Sequence, residues 1–438
     1  KLSAAALAVT SVLALPTSAD QTSRTNGMRD NTPSLTAIQN ATVVTEPGEV
    51  VTNATLVIEN GKVKSVESGN RAPAGARVID GTGYTIYPGF IDPYASYGID
   101  VTYEKADTDK PIYNNEREGG NAANDAIHAE KDWYSVFKTN SDDAKKWVSE
   151  GFTSVQTAKL DGIFQGQAAT VSLADKIAND VIYRSESKHF GSFDKGTSQQ
   201  QYPSSLMGSI ALVRQTLSDA NWYENAYGKQ SHNQPAEFNA ALDSLKNIES
   251  EGIVFKVSDE KTLLRADDVL DQFNVPSVYV GSGYEYARLN SIKNTGSDLI
   301  LPLNFPAAPN VSGVDAHLDV DLAKLRHWER APSNPAMLAN AGVDFALTLN
   351  ELEKSGDFWP NLRKAVKHGL SKEKALAALT TTAAKIAGVD DKVGRLASGY
   401  MADFVMVKGD IFEDGEIQSV WLQGEENELV SRELVDFA

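Results

Sequence analysis

The residues able to do chemistry are few in kind. Among 438 residues there are six histidines and no cysteine. Disulfides, thiolate nucleophiles and Cys-ligated zinc are therefore excluded together, and any metal must sit on His, Asp, Glu or a carboxylated lysine. His128, His189, His232, His317, His327 and His368 all read as lying in helical or turn-like stretches, none at the end of an apolar strand. A lone histidine in such a context is far more often structural than a ligand. The stretch 87–100, "YPGFIDPYASYGID", has the form of a strand that delivers side chains to a catalytic mouth. Its apolar run 86–91 is punctuated by Pro88-Gly89 and ends at Asp92, with Tyr94 and Ser96 following. Ser96 has no histidine partner in the surrounding sequence, so a Ser-His-Asp arrangement has no support.

The elements that must position these residues fall into three groups. From 35 to 87, short alternating runs ("ATVVT", "ATLVIEN", "KVKSVES", "ARVID") are separated by turn residues, with Asn60-Gly61 as a hairpin turn. The same signature returns near the C-terminus in "GRLASGYMADFVMVKGD" and "IQSVWLQG", so one small β-sandwich assembled from residues 35–87 and 393–438 is expected. Between them, 88–392 alternates apolar runs ("GFTSVQTA", "GIVFKVS", "PSVYVGS", "DLILPL", "VDFALTL") with amphipathic stretches ("DDAKKWVSE", "LLRADDVLDQF", "NLRKAVKHG"). That rhythm predicts an α/β fold, a TIM-like (β/α)8 barrel, with a doubly wound sheet as the alternative. Residues 180–250 break the rhythm and read as an insertion over the barrel mouth. A helix is expected from a Ser371 cap, with Leu376, Leu379, Ala383 and Ile386 on one face and Gly388 ending it.

Composition bounds the partners. A net charge of −18 argues against nucleic acid, whose binding needs clustered Lys and Arg. Residues 1–19, with Lys1, a short apolar run and "TSA" before Asp20, have the layout of a signal peptide. Residues 20–34 read as a flexible lead-in. The expectation is a periplasmic or secreted protein with no membrane span after signal cleavage, because spanning takes about 20 apolar residues.

"VIDGTGYTIYPGFID" (78–92), "GFTSVQTAKLDGIFQGQAATVSL" (151–173) and "GLSKEKALAALTTTAAKIAGVDDKVGRLASGYMADFVMVKGD" (369–410) together resemble the amidohydrolase superfamily, in particular its imidazolonepropionase-like branch. The resemblance implies a composite sandwich around a barrel. It also implies zinc or another divalent metal held by two strand 1 histidines, a strand 4 lysine, one histidine each from strands 5 and 6, and a strand 8 aspartate. Such a metal activates water for attack on a carbon–nitrogen bond. In this chain the strand 1 histidines fall on Tyr94 and Ser96, the strand 5 histidine near Lys256, the strand 6 histidine near Gly281 or Ser282, and the aspartate on Asn350.

Every position that can be aligned has thus lost its ligand, and neither metal nor other cofactor is expected. Tyr94, Ser96, Lys256, Ser282 and Asn350 become candidates for a binding pocket at the former metal positions, with Glu285 nearby; the competing reading is a satisfied polar filling. Two functions follow. One is a pseudoenzyme that binds a small ligand or pairs, as a homo- or hetero-oligomer, with an active paralogue. The other is a hydrolase of non-peptide or cyclic amide bonds with an atypical or metal-free site, using Lys256 as base and Tyr94 as acid.

Overall fold

The computed structural model describes residues 34–102, 124–228, 238–310, 312 and 320–430. The expected signal peptide, nearly all of the lead-in, His232 and His317 lie outside these residues. The strands in chain order are β1 Leu35–Glu46, β2 Glu49–Glu59, β3 Lys62–Ser68, β4 Arg77–Asp80, β5 Tyr84–Pro88, β6 Phe90–Ala95, β7 Phe152–Thr157, β8 Phe164–Gln167, β9 Ala169–Ser172, β10 Ile182–Arg184, β11 His189–Ser192, β12 Ile253–Lys256, β13 Ser277–Val280, β14 Asp298–Pro302, β15 Phe345–Thr348, β16 Phe404–Lys408, β17 Glu416–Leu422 and β18 Glu425–Glu428. The helices are α1 Ser141–Val148, α2 Ala178–Val181, α3 Leu206–Tyr223, α4 Ala240–Ser244, α5 Ile248–Glu251, α6 Glu260–Leu270, α7 Leu289–Thr295, α8 Leu322–Arg330, α9 Asn334–Ala341, α10 Phe358–Lys367, α11 Lys372–Leu379 and α12 Thr381–Ala387.

Strands from the two ends of the chain share one eight-stranded sheet, in the order β18-β17-β16-β5-β1-β2-β3 with β4 on β1. The join is antiparallel, Phe404 opposite Pro88 through Lys408 opposite Tyr84. Between β2 and β3 the chain turns at Asn60 and Gly61, with φ of 52° and 75°. Two successive left-handed residues give the hairpin turn whose twist matches the flanking strands. Ile38, Val43, Leu56, Ile86, Phe404 and Trp421 pack into one apolar cluster on this sheet.

The middle of the chain forms two further sheets. One runs β10-β9-β7-β6 and the other β15-β14-β13-β12-β11-β8. The five apolar runs read as strands are β7, β12, β13, β14 and β15, and β11 through β15 are parallel. Alternate residues go to opposite faces, as strand geometry requires. Val254, Val278, Val280, Ile300 and Ala346 join one cluster, while Ile253, Phe255, Tyr279, Leu299, Leu301, Phe345 and Leu347 join another. Burial on both faces explains why these strands read as continuous apolar runs and not as alternation.

The ladders leave both sheets open. They meet where Thr348 Oγ1 donates to Tyr94 O at 3.1 Å and Leu349 N donates to Asp92 Oδ2 at 3.1 Å. The architecture is therefore a mixed α/β fold. Residues 182–192 belong to these sheets through β10 and β11, so the strand rhythm runs further into the expected insertion than its sequence indicated. Strands of three and four residues, one of them "HFGS", are too short to show a period.

The expected 371–388 helix is two. Ser371 caps the first, accepting from Lys374 N, and Gly388, at φ 69°, ends the second. Thr380, at φ −127° and ψ −91°, breaks the run, and its hydroxyl donates back to Leu376 O at 2.6 Å. A hydroxyl that competes for the backbone carbonyl favours such a break.

Candidate functional site

A cavity of about 820 Å³ opens at the carboxyl ends of the parallel strands, and Tyr94, Lys256 and Asn350 all line it. That volume lies in the range of small-molecule sites. Lys256 is the last residue of β12, two past the inward-facing Val254, so the period of the strand turns it toward the same side. Its ammonium Nζ lies 2.5 Å from Glu351 Oε1, with the two side chains 38% and 37% exposed. At that exposure the pair contributes no more than about 1 kcal/mol to stability; its effect is to place a cation and an anion at the mouth. Asn350 follows β15, and its amide N–H donates to Thr348 Oγ1 at 3.0 Å.

Tyr94 is 1% exposed and stacks on Phe190, with ring centroids 5.3 Å apart. Burial, reinforced by the Glu351 carboxylate, pushes its phenol well above the usual range. It stays protonated at neutral pH. Beneath it lies Asp92, which is fully buried. Its Oδ1 accepts from Tyr94 N at 3.1 Å. Its Oδ2 accepts from Trp147 Nε1 at 3.0 Å and Leu349 N at 3.1 Å. Burial raises its pKa to about 6 against the pull of these hydrogen bonds. Asp92 thus ties β6, α1 and the chain after β15 together below the mouth.

The other sequence candidates are elsewhere. Ser96 is exposed beyond the end of β6, and neither it nor Ser282 lines the cavity. Glu285 is fully buried and closes the turn after β13. It accepts from Ser282 N at 2.6 Å, Gly283 N at 3.1 Å and Asn334 Nδ2 at 2.6 Å. A Cβ on Gly281 would stand 2.5 Å from its Oε1, so glycine there allows this capping. Its role is structural.

His189, expected in a helical or turn-like stretch, opens strand β11. It sits at the amino end, opposite to the mouth. Its Nε2 lies 3.3 Å from Glu251 Oε2 but is misaligned for a hydrogen bond. His327, on α8, stacks on Tyr284 at 3.6 Å and 9°, and burial lowers its basicity. Glu351 and Gln165 are among the cavity residues that sequence reasoning missed. Glu351 adopts φ 72° in a turn with no periodic signal, and Gln165 lies in a short strand where a polar residue is not expected to be 3% exposed.

Among the described residues no group of three or more His, Asp or Glu side chains is placed to hold a metal ion. The donors at the mouth explain why a family-type divalent centre does not fit. At the former ligand positions a buried phenol held in its protonated form, a neutral amide and an ammonium offer no anionic or imidazole ligand, and the adjacent Glu351 carboxylate is paired with Lys256. Carboxylation of Lys256 would set a second anion against Glu351.

Residues 327–426 match the sequence model of the amidohydrolase family. No curated protein matches the sequence. Among solved structures, an amidohydrolase from Thermotoga maritima MSB8 is similar with a TM-score of 0.70 at 19% identity, over 90% of this chain and all of that one. A prolidase complexed with N-methylphosphonate-L-proline is similar with a TM-score of 0.52 at 16% identity, over 90% of this chain and 99% of that one. The family match over the C-terminal part and the architecture shared along most of its length agree: this chain carries the fold of the amidohydrolase superfamily.

Proposed function

We propose that this protein is an exported amidohydrolase-fold protein without the superfamily's metal centre, a pseudoenzyme whose barrel mouth binds a small-molecule ligand. In this reading the two open sheets are parts of one TIM-like barrel. The observation that carries it is the Lys256–Glu351 pair at 2.5 Å. An ammonium near the position of the strand 5 histidine repels a dication, and the adjacent carboxylate is already engaged by it. The cavity at that same place gives the mouth something to hold, either a ligand alone or a ligand whose binding tunes pairing with an active paralogue.

A second reading is a hydrolase acting on carbon–nitrogen bonds, favoured by the likeness to an amidohydrolase and a prolidase. Tyr94 would then have to donate a proton from a phenol that burial holds firmly protonated, which is a poor acid for that task.

Elemental analysis of protein purified without chelator, followed by melting with and without added zinc, tests the loss of the metal centre, and an assay of hydrolysis of cyclic amides and other non-peptide carbon–nitrogen substrates separates the two, turnover favouring the second. No stoichiometric zinc, manganese or nickel is expected, and chelators should leave the melting temperature unchanged. Metal present at a thousand times its dissociation constant would stabilise the fold by about 4 kcal/mol, a shift that is easily seen. One equivalent of metal, lost in Lys256→Ala or Asn350→Ala, would overturn the pseudoenzyme reading.

A further inference from the structure

Helix α8 touches the rest of the molecule along one narrow line. Of its residues, Leu322–Arg330, His327 alone is buried. The His327 ring stacks on Tyr284, with centroids 3.6 Å apart, and its Nδ1 lies 3.2 Å from Tyr286 Oη. Both tyrosines follow β13, so α8 is anchored beyond the carboxyl end of that strand, on the side of the mouth.

A surface helix normally turns its apolar residues toward the core. In α8 they turn outward. At about 3.6 residues per turn, Leu322, Leu325 and Trp328 lie roughly 140°, 160° and 100° round the axis from His327. They are 59%, 36% and 39% exposed, and together they form one stripe on the face turned away from the anchor. Large apolar side chains that adjoin one another on an exposed face mark an interaction site, whereas isolated ones do not.

The two edges of the stripe carry opposite charges. On the helical wheel Lys324 lies beside Trp328 on one edge, and Glu329 lies beside Leu325 on the other. The contact of Glu329 with Arg330, at 4.0 Å and with both side chains more than half exposed, is loose. When two such helices pair side by side and parallel, the basic edge of each faces the acidic edge of the other across an apolar seam. The stripe is therefore complementary to itself. An anionic membrane surface fits it less well, because it repels a chain of net charge −18.

We infer that the exposed face of α8 docks a second copy of this chain. The two copies pair about a two-fold axis parallel to the helix, with Leu325 and Trp328 in the seam and Lys324 of each copy beside Glu329 of the other. One short helix per copy makes a small contact, so the dimer is weak and forms reversibly with concentration. The pairing depends neither on a ligand in the mouth nor on the absence of a metal.

Sedimentation velocity of the full chain, over a micromolar to millimolar series, should show monomer passing into dimer. Trp328→Glu, at an exposed position where the melting temperature should not change, should weaken the association at least tenfold. Lys324→Glu should weaken it as well, by setting like charges across the seam, and combining Lys324→Glu with Glu329→Lys should restore it. A chain that stays monomeric throughout would overturn the inference. So would a dimer that Trp328→Glu leaves intact, an exchange of charges that fails to restore association, or Trp328-dependent binding to phosphatidylglycerol vesicles in place of self-association.

Discussion

Asp92 organises the floor of the mouth, and its ionisation has a measurable consequence. Its folded-state pKa of about 6 lies above the unfolded value of about 3.9, so the folded protein holds this proton more tightly than the unfolded chain does. The associated stability is fully present below about pH 4 and is lost as pH rises through about 6, amounting to roughly 2–3 kcal/mol for a group with no solvent screening. Asp403, also fully buried and raised to about 6 by burial, has the same sign. Asp92→Asn removes its titration and leaves those of Asp403, Asp267 and Glu150, which burial also raises. Urea unfolding at a series of pH values should therefore show wild type losing roughly 2–3 kcal/mol of stability relative to the variant from pH 4 to pH 7. Parallel profiles would mean that Asp92 titrates normally in the folded protein.

At the scale of elements, the seam between β5 and β16 joins the two ends of the chain. Phe404 stacks on Trp421 at 5.0 Å, and both are buried against Ile86 and Leu56 in the composite sheet. Removing residues 394–438 takes away this aromatic pair and leaves β5 with an unpaired edge. Limited proteolysis of the truncated protein, read by mass spectrometry, should cut within 35–87, where the full chain is protected. Unchanged protection would mean that the N-terminal strands hold together without their C-terminal partners.

At the scale of the whole molecule, export is part of the proposed reading and rests on the layout of residues 1–19. Among the described residues no helix is long and apolar enough to cross a membrane. N-terminal sequencing of the mature protein should begin near Asp20. A cytosolic form that retains residues 1–19 would rule export out.

The strands β7 and β12 to β15 and the pairing of the chain's ends were legible in the sequence, because apolar runs between turn residues are local patterns that survive without the fold; the short strands β10 and β11 and the break at Thr380 were not. The sequence by itself also determined that histidine ligands are missing after strand β6, since residue type at a position needs no coordinates. Only the tertiary structure decided which polar residues meet. Tyr94, Lys256 and Asn350 share one cavity because their strands end together at one side of the sheets, while Ser96 and Ser282 turn away from it. Glu351 and Gln165 gave no signal in the sequence: one owes its place to a left-handed turn and the other to a buried strand position. The charge pairing of Lys256 arises from a contact 95 residues away along the chain. A distant contact has no local period to read.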